Sequence, residues 1–273
     1  MSESLKGRVA VITGASRGIG KACALRLAQE GCHIVIAAKT VEPDPRLPGT
    51  IYDAAREVEQ YGVEALAMQT NVRNEDEIER LAEAALHRFG RVDILVNNAG
   101  ALWWQPVTET PSKRFDLVME VNVRASFLCA RAFLPSMIEN QWGHIVNMSP
   151  PIDMSVISQR TAYMISKFGM TMMVYGLAEE VKQHNVAANA LWPATIIESQ
   201  ASINYQLGQP KDWRKPEIVA DALAAIVSKP PSHRTGTALI DEDVLREEGV
   251  TDFEKYNCVP GSNPPRLTWN AVQ

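Results

Sequence analysis

The sequence predicts an α/β protein in which a doubly wound parallel sheet is flanked by helices within a single domain. Three observations predict this class. Short apolar runs rich in β-branched residues alternate with helical patterns through the first half of the chain. The first run leads through a glycine-rich turn directly into a helix, which is the order that a dinucleotide site requires. The 273 residues, 46% hydrophobic and 22% charged, are enough to bury one large core.

The first strand and its turn predict a nucleotide site. Residues 8–13 form the apolar run, and a G-x-x-x-G-x-G turn and a helix ending near residue 31 follow it. Glycines let the backbone approach a pyrophosphate, and a helix N-terminus offers free N–H groups with a positive dipole end. A tight turn without a ligand is the alternative, but the position between strand and helix favours a Rossmann-type site. The predicted contacts are Gly14, Ser16, Arg17, Gly18, Ile19 and Gly20.

The end of the second strand predicts the form of the cofactor. Residues 33–39 form this strand, and Ala38 stands where an acidic residue would hold the 2'-hydroxyl of NAD. Lys39 and Arg17 are two cations that suit a 2'-phosphate, although two solvated surface cations would look the same. We therefore predict NADP. Residues 41–49 contain three prolines and form an extended loop near the adenosine, where Arg46 is an additional candidate contact.

Two further strands end in small or polar residues. The strand over residues 64–70 ends at Asn71, which either faces the adenine edge or forms a turn. A charged amphipathic helix leads to the strand over residues 92–96 and then to Asn97-Asn98-Ala99-Gly100, whose small residues let the backbone pack beside a cofactor. The predicted cofactor contacts here are Asn71, Val72, Asn98, Ala99 and Gly100.

The second half contains a proton-transfer pair. A long helix is predicted over residues 112–140 with Asn122 in an apolar setting, and a strand over residues 143–148 follows. Tyr163 and Lys167 then lie four residues apart on one helical face. A phenol titrates near pH ~10, and a neighbouring ammonium favours the phenolate, which makes Tyr163 a candidate acid/base near neutrality. The alternative is a helical pair without chemistry.

Together these motifs resemble the short-chain dehydrogenase/reductase family. The resemblance rests on the glycine turn after Thr13, on Asn97-Asn98-Ala99-Gly100, on Asn122 and on Tyr163-x-x-x-Lys167, in that order. It implies an enzyme that moves a hydride between nicotinamide and a CH–OH carbon while Tyr163 exchanges a proton with the substrate oxygen. Lys167 would hold the nicotinamide ribose and lower the tyrosine pKa, and Asn122 would anchor a water. A helix kink or a core hydrogen bond is the alternative for Asn122.

The resemblance also has a departure. The family's pattern places a serine thirteen residues before the tyrosine, and Pro150 stands there, with Ser149 one residue earlier. We predict that Ser149 polarises the carbonyl; a backbone or water donor, Ser155 and Ser158 are the alternatives. Losing one such donor commonly costs on the order of 10² to 10³ in rate. A nucleotide-binding sensor or partner protein with little turnover is therefore the second functional hypothesis.

Aromatic residues and methionines predict an apolar cleft at the strand ends. The predicted substrate contacts are Trp103, Trp104, Met154, Trp192 and Tyr205, although such residues are more often plain core. Residues 198–215 form the expected substrate lid. In the family, Pro193 and Thr195 would lie on the cofactor's carboxamide side. The expected substrate is a hydrophobic alcohol or carbonyl compound: a terpenoid or fatty alcohol, a steroid or an acyl compound.

Composition excludes other classes. A net charge of -5 with scattered cations gives no basic surface for nucleic acid, and no long apolar segment predicts an export signal or a membrane span. A chain without either is expected in the cytoplasm. The four cysteines show no metal-ligand spacing, which indicates buried thiols rather than disulfides or a metal site.

The expected organisation is a nucleotide-binding half over residues 7–110, a catalytic and lid half over 111–250 and a tail over 251–273 that packs on the lid or a neighbouring subunit. The family resemblance implies a homodimer or homotetramer through the helices at 112–140 and 163–182. Within the family, the sequence most resembles one branch. This resemblance rests on Lys39-Thr40 with the proline loop after it, Asn147-Met148-Ser149-Pro150-Pro151, Ala190-Leu191-Trp192-Pro193 and Ile240-Asp241-Glu242. The animal members of this branch carry a sterol-carrier-type domain after the reductase domain. This sequence matches the reductase domain alone.

Overall fold

The computed structural model describes residues 5–44 and 48–267. Its strands are β1 (Val9–Thr13), β2 (His33–Ala38), β3 (Ala65–Gln69), β4 (Ile94–Asn97), β5 (Gly143–Met148), β6 (Val186–Trp192), β7 (Ile196–Ile197), β8 (Trp213–Arg214) and β9 (Thr237–Ile240). Seven of them form a parallel sheet in the order β3-β2-β1-β4-β5-β6-β9. This confirms the predicted fold class. The candidate contact Arg46 lies outside the described residues.

Helices cover both faces of the sheet. They are α1 (Gly18–Gln29), α2 (Ile51–Glu59), α3 (Glu75–Phe89), α4 (Ser112–Val118), α5 (Ala125–Glu139), α6 (Thr161–Glu180), α7 (Gln200–Asn204), α8 (Glu217–Val227) and α9 (Asp241–Glu247). One buried apolar cluster joins the sheet to α1, α2 and α8, and a second joins it to α3, α5 and α6. The strand order reverses between β1 and β4, and the crevice beyond the carboxyl ends of these strands is the usual ligand site of such sheets.

The predicted helix over residues 112–140 is interrupted. Between α4 and α5, Met119–Arg124 forms a π-helical turn that contains Asn122. Such turns occur mostly as short insertions in helices and are frequent at functional sites. Asn122 makes tertiary hydrogen bonds from this turn, which a hydrophobic pattern does not reveal.

The lid and the tail pack on each other. Ile196, just before the lid, pairs with Trp213 near the end of the lid to form a two-stranded sheet that the sequence pattern did not predict. In the tail, the backbone N–H of Cys258 donates to the carbonyl of Trp213 at 3.2 Å, and the N–H of Leu267 donates to the carbonyl of Ala194 at 2.7 Å. The described tail therefore contacts the lid, the first of its two expected partners.

Other sequence features also have a defined place. The thiols of Cys23, Cys32 and Cys129 are buried as expected, and Cys258 is partly buried. Across the described ranges, no helix is at once long enough and apolar enough to cross a bilayer.

Replacing Gly20 by Ala is expected to destabilise the protein by about 1–3 kcal/mol, because this is the usual cost of forcing atoms into a packed region. The added Cβ would lie 2.4 Å from Nδ2 of Asn98 and 2.5 Å from the carbonyl oxygen of Gly14. Urea unfolding measures the change. The matched control is Gly176→Ala, also inside a helix but exposed and with no atom within 4 Å of the new Cβ. It should stabilise by about 0.5–1 kcal/mol, and equal effects of both substitutions would contradict this account.

Candidate active site

The glycine-rich turn lies at the carboxyl end of β1. Gly14 and Gly18 have left-handed φ angles of 68° and 54°, which other residues rarely adopt. A Cβ added at Gly18 would meet no atom within 4 Å, so the turn faces open space at the N-terminus of α1. Ser16 is buried in the same turn, and Ile19 packs against the core beneath it. The open side of Gly18 suits a pyrophosphate, which helix N-termini bind through free N–H groups.

A pair of polar side chains joins this turn to the end of β4. The hydroxyl oxygen of Thr13 accepts hydrogen bonds from the backbone N–H groups of Asn98 and Ala99 at 3.1 and 3.0 Å. The amide of Asn98 donates to the carbonyl oxygens of Thr13 and Gly14 at 2.9 and 3.2 Å. The motif includes Thr13, but sequence reasoning gave it no role of its own. A hydroxyl at the last position of a buried strand is the signal that could have identified it.

The predicted phosphate-binding cations lie near the end of β2. The guanidinium of Arg17 donates to Thr40 Oγ1 at 3.0 Å and to the carbonyl of Gly49 at 3.1 Å. Arg17 thereby ties the proline-rich loop to the glycine turn. Lys39, in contrast, is exposed beside it. The structure thus brings the two cations to one edge, with Arg17 engaged by the protein.

The observed contacts of Asn71 match its turn-forming alternative. Its Oδ1 accepts from the N–H of Arg73 at 3.3 Å, and its own N–H donates to Glu77 at 2.7 Å. Val72 is buried beside it. An adenine contact by these two residues stays a prediction.

Asn122 links three parts of the second half. Its Oδ1 accepts from the N–H of Ala101 at 2.8 Å, and its Nδ2 donates to the carbonyl of Ala101 at 3.0 Å. The same Nδ2 donates to Ser166 Oγ at 2.8 Å, and that hydroxyl donates to the carbonyl of Tyr163 at 2.7 Å. These are core hydrogen bonds made from a π-helical turn, so both alternatives to a water-anchoring role are present. Sequence reasoning missed Ser166, a polar residue inside the apolar run between Tyr163 and Lys167.

Tyr163 and Lys167 are both buried on α6. Lys167 Nζ donates to the carbonyl of Met148 at 2.8 Å and lies 5.4 Å from the ring centre of Trp192. A Cβ added at Gly100 would lie 3.7 Å from this Nζ, so the turn after β4 and the lysine meet. Burial lowers the pKa of Lys167 to about 7. Burial raises the pKa of Tyr163, which keeps the phenol protonated at neutral pH.

The hydroxyl of Ser149 is engaged by a residue further along α6. Ser149 is fully buried, and its hydroxyl accepts a hydrogen bond from Thr171 Oγ1 at 2.9 Å. Thr171 lies eight residues after Tyr163, which is about 12 Å along a helix. The polarising role of Ser149 stays a prediction. Of the alternatives, Ser155 is exposed and donates to Asp153 at 2.6 Å, and Ser158 is exposed.

Part of the predicted aromatic wall surrounds Tyr163. The rings of Trp104 and Tyr163 meet edge to face with centroids 6.1 Å apart, and Trp104 and Trp192 pack on the same small apolar cluster. Trp103 instead donates to Thr110 Oγ1 at 3.2 Å and stacks under Arg114. The two remaining predicted contacts are exposed. Met154 is 65% exposed, whereas the hydroxyl of Tyr205 ties the lid to the carbonyl of Leu102 at 2.7 Å.

The loop after β6 fits the nicotinamide end of a cofactor. The hydroxyl oxygen of Thr195 is buried and has no partner among the described residues. Buried hydroxyls are normally paired, so this atom suits a ligand's carboxamide. Asp241 holds the residue before Thr195, because its Oδ1 accepts a hydrogen bond from the backbone N–H of Ala194 at 2.8 Å. With the open side of Gly18, these features fit a dinucleotide.

Residues 8–207 match the family model described as short chain dehydrogenase. The chain belongs to the short-chain dehydrogenase family. Curated relatives are similar along most of the chain. The protein named hydroxysteroid dehydrogenase-like protein 2 from Homo sapiens is 47% identical over 262 residues. The protein of the same name from Danio rerio is 46% identical over 261 residues. These matches cover 94% of this chain and 62% of each relative. They confirm the predicted branch of the family. This chain spans less than two thirds of the length of these relatives.

Solved structures give the same family. A protein from Xanthomonas campestris is 40% identical with a TM-score of 0.93, over 98% of this chain and 99% of that one. A metagenomic short-chain oxidoreductase in complex with NADP is 31% identical with a TM-score of 0.73, over 87% and 97% of the two chains. A short chain dehydrogenase from Mycobacterium paratuberculosis bound to NAD is 25% identical with a TM-score of 0.74, over 87% and 97%. The family is thus one of oxidoreductases that use a nicotinamide cofactor.

Replacing Lys167 by Met is expected to stabilise the protein without cofactor at and below pH 7. Burial lowers the pKa of Lys167 from its usual 10.5 to about 7, so between these pH values the unfolded state binds more protons than the folded state. Stability of the unsubstituted protein therefore rises with pH through this window. The advantage of the Met variant should be largest near pH 7 and shrink toward pH ~10. Urea unfolding across this range measures it, and a constant difference would show that the buried lysine stays charged.

Proposed function

We propose that this protein is an NADP(H)-dependent oxidoreductase that interconverts a hydroxyl and a carbonyl on a hydrophobic small molecule. The observation that carries the proposal is the buried pair Tyr163 and Lys167 beside the turn at Gly100, at the sheet edge where the cradle at Gly18 opens. When bound, a nicotinamide accepts or supplies the hydride. The chain's own residues then need only to hold the substrate and move its proton.

Tyr163 is the proposed acid/base. Because burial keeps its phenol protonated near neutral pH, it can donate a proton to a carbonyl oxygen during reduction. In the reverse direction it needs a nearby positive charge to accept a proton. Lys167 is proposed to supply this charge and to hold the nicotinamide ribose. Asn122, through its backbone, is proposed to anchor the water that connects the lysine to solvent.

Selection of NADP is proposed to lie at the end of β2. Ala38 leaves no carboxylate that would repel a 2'-phosphate, and the exposed Lys39 is free to meet one. Arg17 holds Thr40 and Gly49 in the adjacent loop and is proposed to add a second positive charge there.

The protein is further proposed to form a homodimer or homotetramer, which an exposed apolar face supports. Phe127 on α5 and Ile165 and Met172 on α6 are 56%, 46% and 63% exposed. They flank a groove lined mainly by apolar side chains of the π-helical turn and α6. Such faces often mark contacts between subunits. A cytoplasmic location stays a prediction.

The second candidate, an NADPH-binding sensor with little turnover, is favoured by one observation. Pro150 occupies the family's serine position, and the hydroxyl of Ser149 is engaged by Thr171. The deciding experiment is NADPH oxidation across a panel of apolar aldehydes and ketones, with the reverse reaction on matching alcohols and NADH in parallel. Turnover on one chemical class supports the enzyme. Tight NADPH binding without turnover supports the sensor, and Pro150→Ser would then be expected to raise activity.

Tyr163→Phe is expected to abolish turnover while leaving NADPH binding nearly intact, because it removes the proton and keeps the ring. Stopped-flow rates and NADPH fluorescence titration measure the two effects. Tyr175→Phe is the matched control, since Tyr175 is 41% exposed on the same helix. Unchanged activity in Tyr163→Phe would exclude the proposed mechanism.

Lys39→Ala is expected to weaken the binding of NADPH by about tenfold or more and to leave the binding of NADH almost unchanged. The reason is that only NADPH carries the 2'-phosphate that the ammonium would contact. Dissociation constants for both cofactors measure this. Lys113→Ala, at an exposed position of α4, serves as the control for a lost surface charge. An equal loss of affinity for both cofactors would show that Lys39 does not recognise the 2'-phosphate.

A further inference from the structure

The indole N–H of Trp104 is a buried donor without an acceptor. Its Nε1 has no hydrogen-bond partner within the described part of the chain. The neighbouring Trp103 differs, since its Nε1 donates to Thr110 at 3.2 Å. The indole of Trp213 is also paired, with the carbonyl of Leu207. Buried indole N–H groups usually find a partner, so the partner of Trp104 is to be sought in a ligand.

A positive charge lies over the same ring. The guanidinium carbon of Arg160 is 4.9 Å from the ring centre of Trp104. Among the residues that the structure describes, no carboxylate lies within ion-pairing distance of Arg160, whereas Arg214 pairs with Glu242 at 2.9 Å. The guanidinium keeps donors for an anion, which it can bind in a two-pronged geometry.

Both groups are next to the reacting tyrosine. Trp104 meets the ring of Tyr163 edge to face at 6.1 Å, and Arg160 comes directly before α6, three residues ahead of Tyr163. Although burial raises the pKa of Tyr163, the charge of Arg160 opposes this effect, as expected for a cation close to the phenol.

Apolar side chains pack around the same tyrosine. Leu102, Ile152, Val156 and Ile157 pack on the cluster formed around Tyr163. An anion bound here would be partly shielded from water, which strengthens its attraction to a guanidinium. A ligand that contacts the apolar side chains, the indole N–H and the guanidinium together has an apolar body and a negatively charged head near the reacting carbon.

We propose that Arg160 and the indole N–H of Trp104 form a subsite for a carboxylate, so that the substrate is an amphiphilic oxo or hydroxy acid. The inference rests on the proposed function, because it places the carboxylate beside Tyr163. It narrows the substrate from any hydrophobic alcohol or carbonyl compound to one with an acidic head.

The test is a binding measurement that needs no turnover. Isothermal calorimetry compares octanoate with octanol, which share a chain length, on the intact chain with and without NADP⁺. We expect octanoate to bind more tightly than octanol. Arg160→Gln should weaken the binding of octanoate about ten- to a hundredfold and leave the binding of octanol unchanged, because the substitution removes a charge-assisted contact. Arg160→Lys should restore part of the affinity, and Trp104→Phe should weaken octanoate by a smaller factor.

Neighbouring residues provide matched controls. Arg114 stacks over Trp103 at 4.8 Å, much as Arg160 stacks over Trp104. Arg114→Gln should leave the binding of both ligands unaffected. Thermal unfolding verifies that each variant is folded.

Two results would overturn the subsite. The first is that octanoate binds no more tightly than octanol. The second is that Arg160→Gln lowers the affinity for both ligands equally, which would show that Arg160 only packs on Trp104. The proposed function fails separately, by an absence of NADPH oxidation in the substrate panel. Turnover of neutral ketones with no preference for the matching oxo acids would overturn the subsite and leave the oxidoreductase intact.

Discussion

The site depends on the hydrogen bonds of one buried amide. Asn122 is fully buried, and its side chain bonds both backbone polar groups of Ala101 and the hydroxyl of Ser166. It therefore joins the loop after β4, the π-helical turn and α6. Leaving a buried polar group unpaired costs about 1–3 kcal/mol, so these three elements hold one relative position. That position brings Gly100 and Lys167 together.

The same site contains a group that weakens the fold. Lys167 is buried, and in the described structure its Nζ contacts the carbonyl of Met148, the sulfur of Met170 and the ring of Trp192. None of these neutralises a charge, so burial lowers the pKa of the amine to about 7. A buried base with a shifted pKa is typical of functional sites, where stability is lower in exchange for reactivity.

The polar groups proposed to bind the substrate beside Tyr163 lie in the loop after β4 and directly before α6, and not at the end of β5. Pro150 has no hydroxyl, and Ser149 is turned toward Thr171. Within the residues that the structure describes, the indole N–H of Trp104 in the loop after β4 has no acceptor, and Arg160, directly before α6, has no carboxylate partner. The proposed substrate subsite therefore uses residues that the family motifs do not include.

The sequence by itself determined the parallel sheet, the glycine turn, and the pairing of Tyr163 with Lys167 on one helical face, because each depends on local periodicity or short spacing. Only the tertiary structure decided which way polar side chains point. Ser149 faces Thr171, Thr13 holds Asn98, and Trp104 and Arg160 meet at Tyr163 although more than fifty residues separate them in sequence. Such contacts form between elements that packing brings together, and no spacing along the chain encodes them.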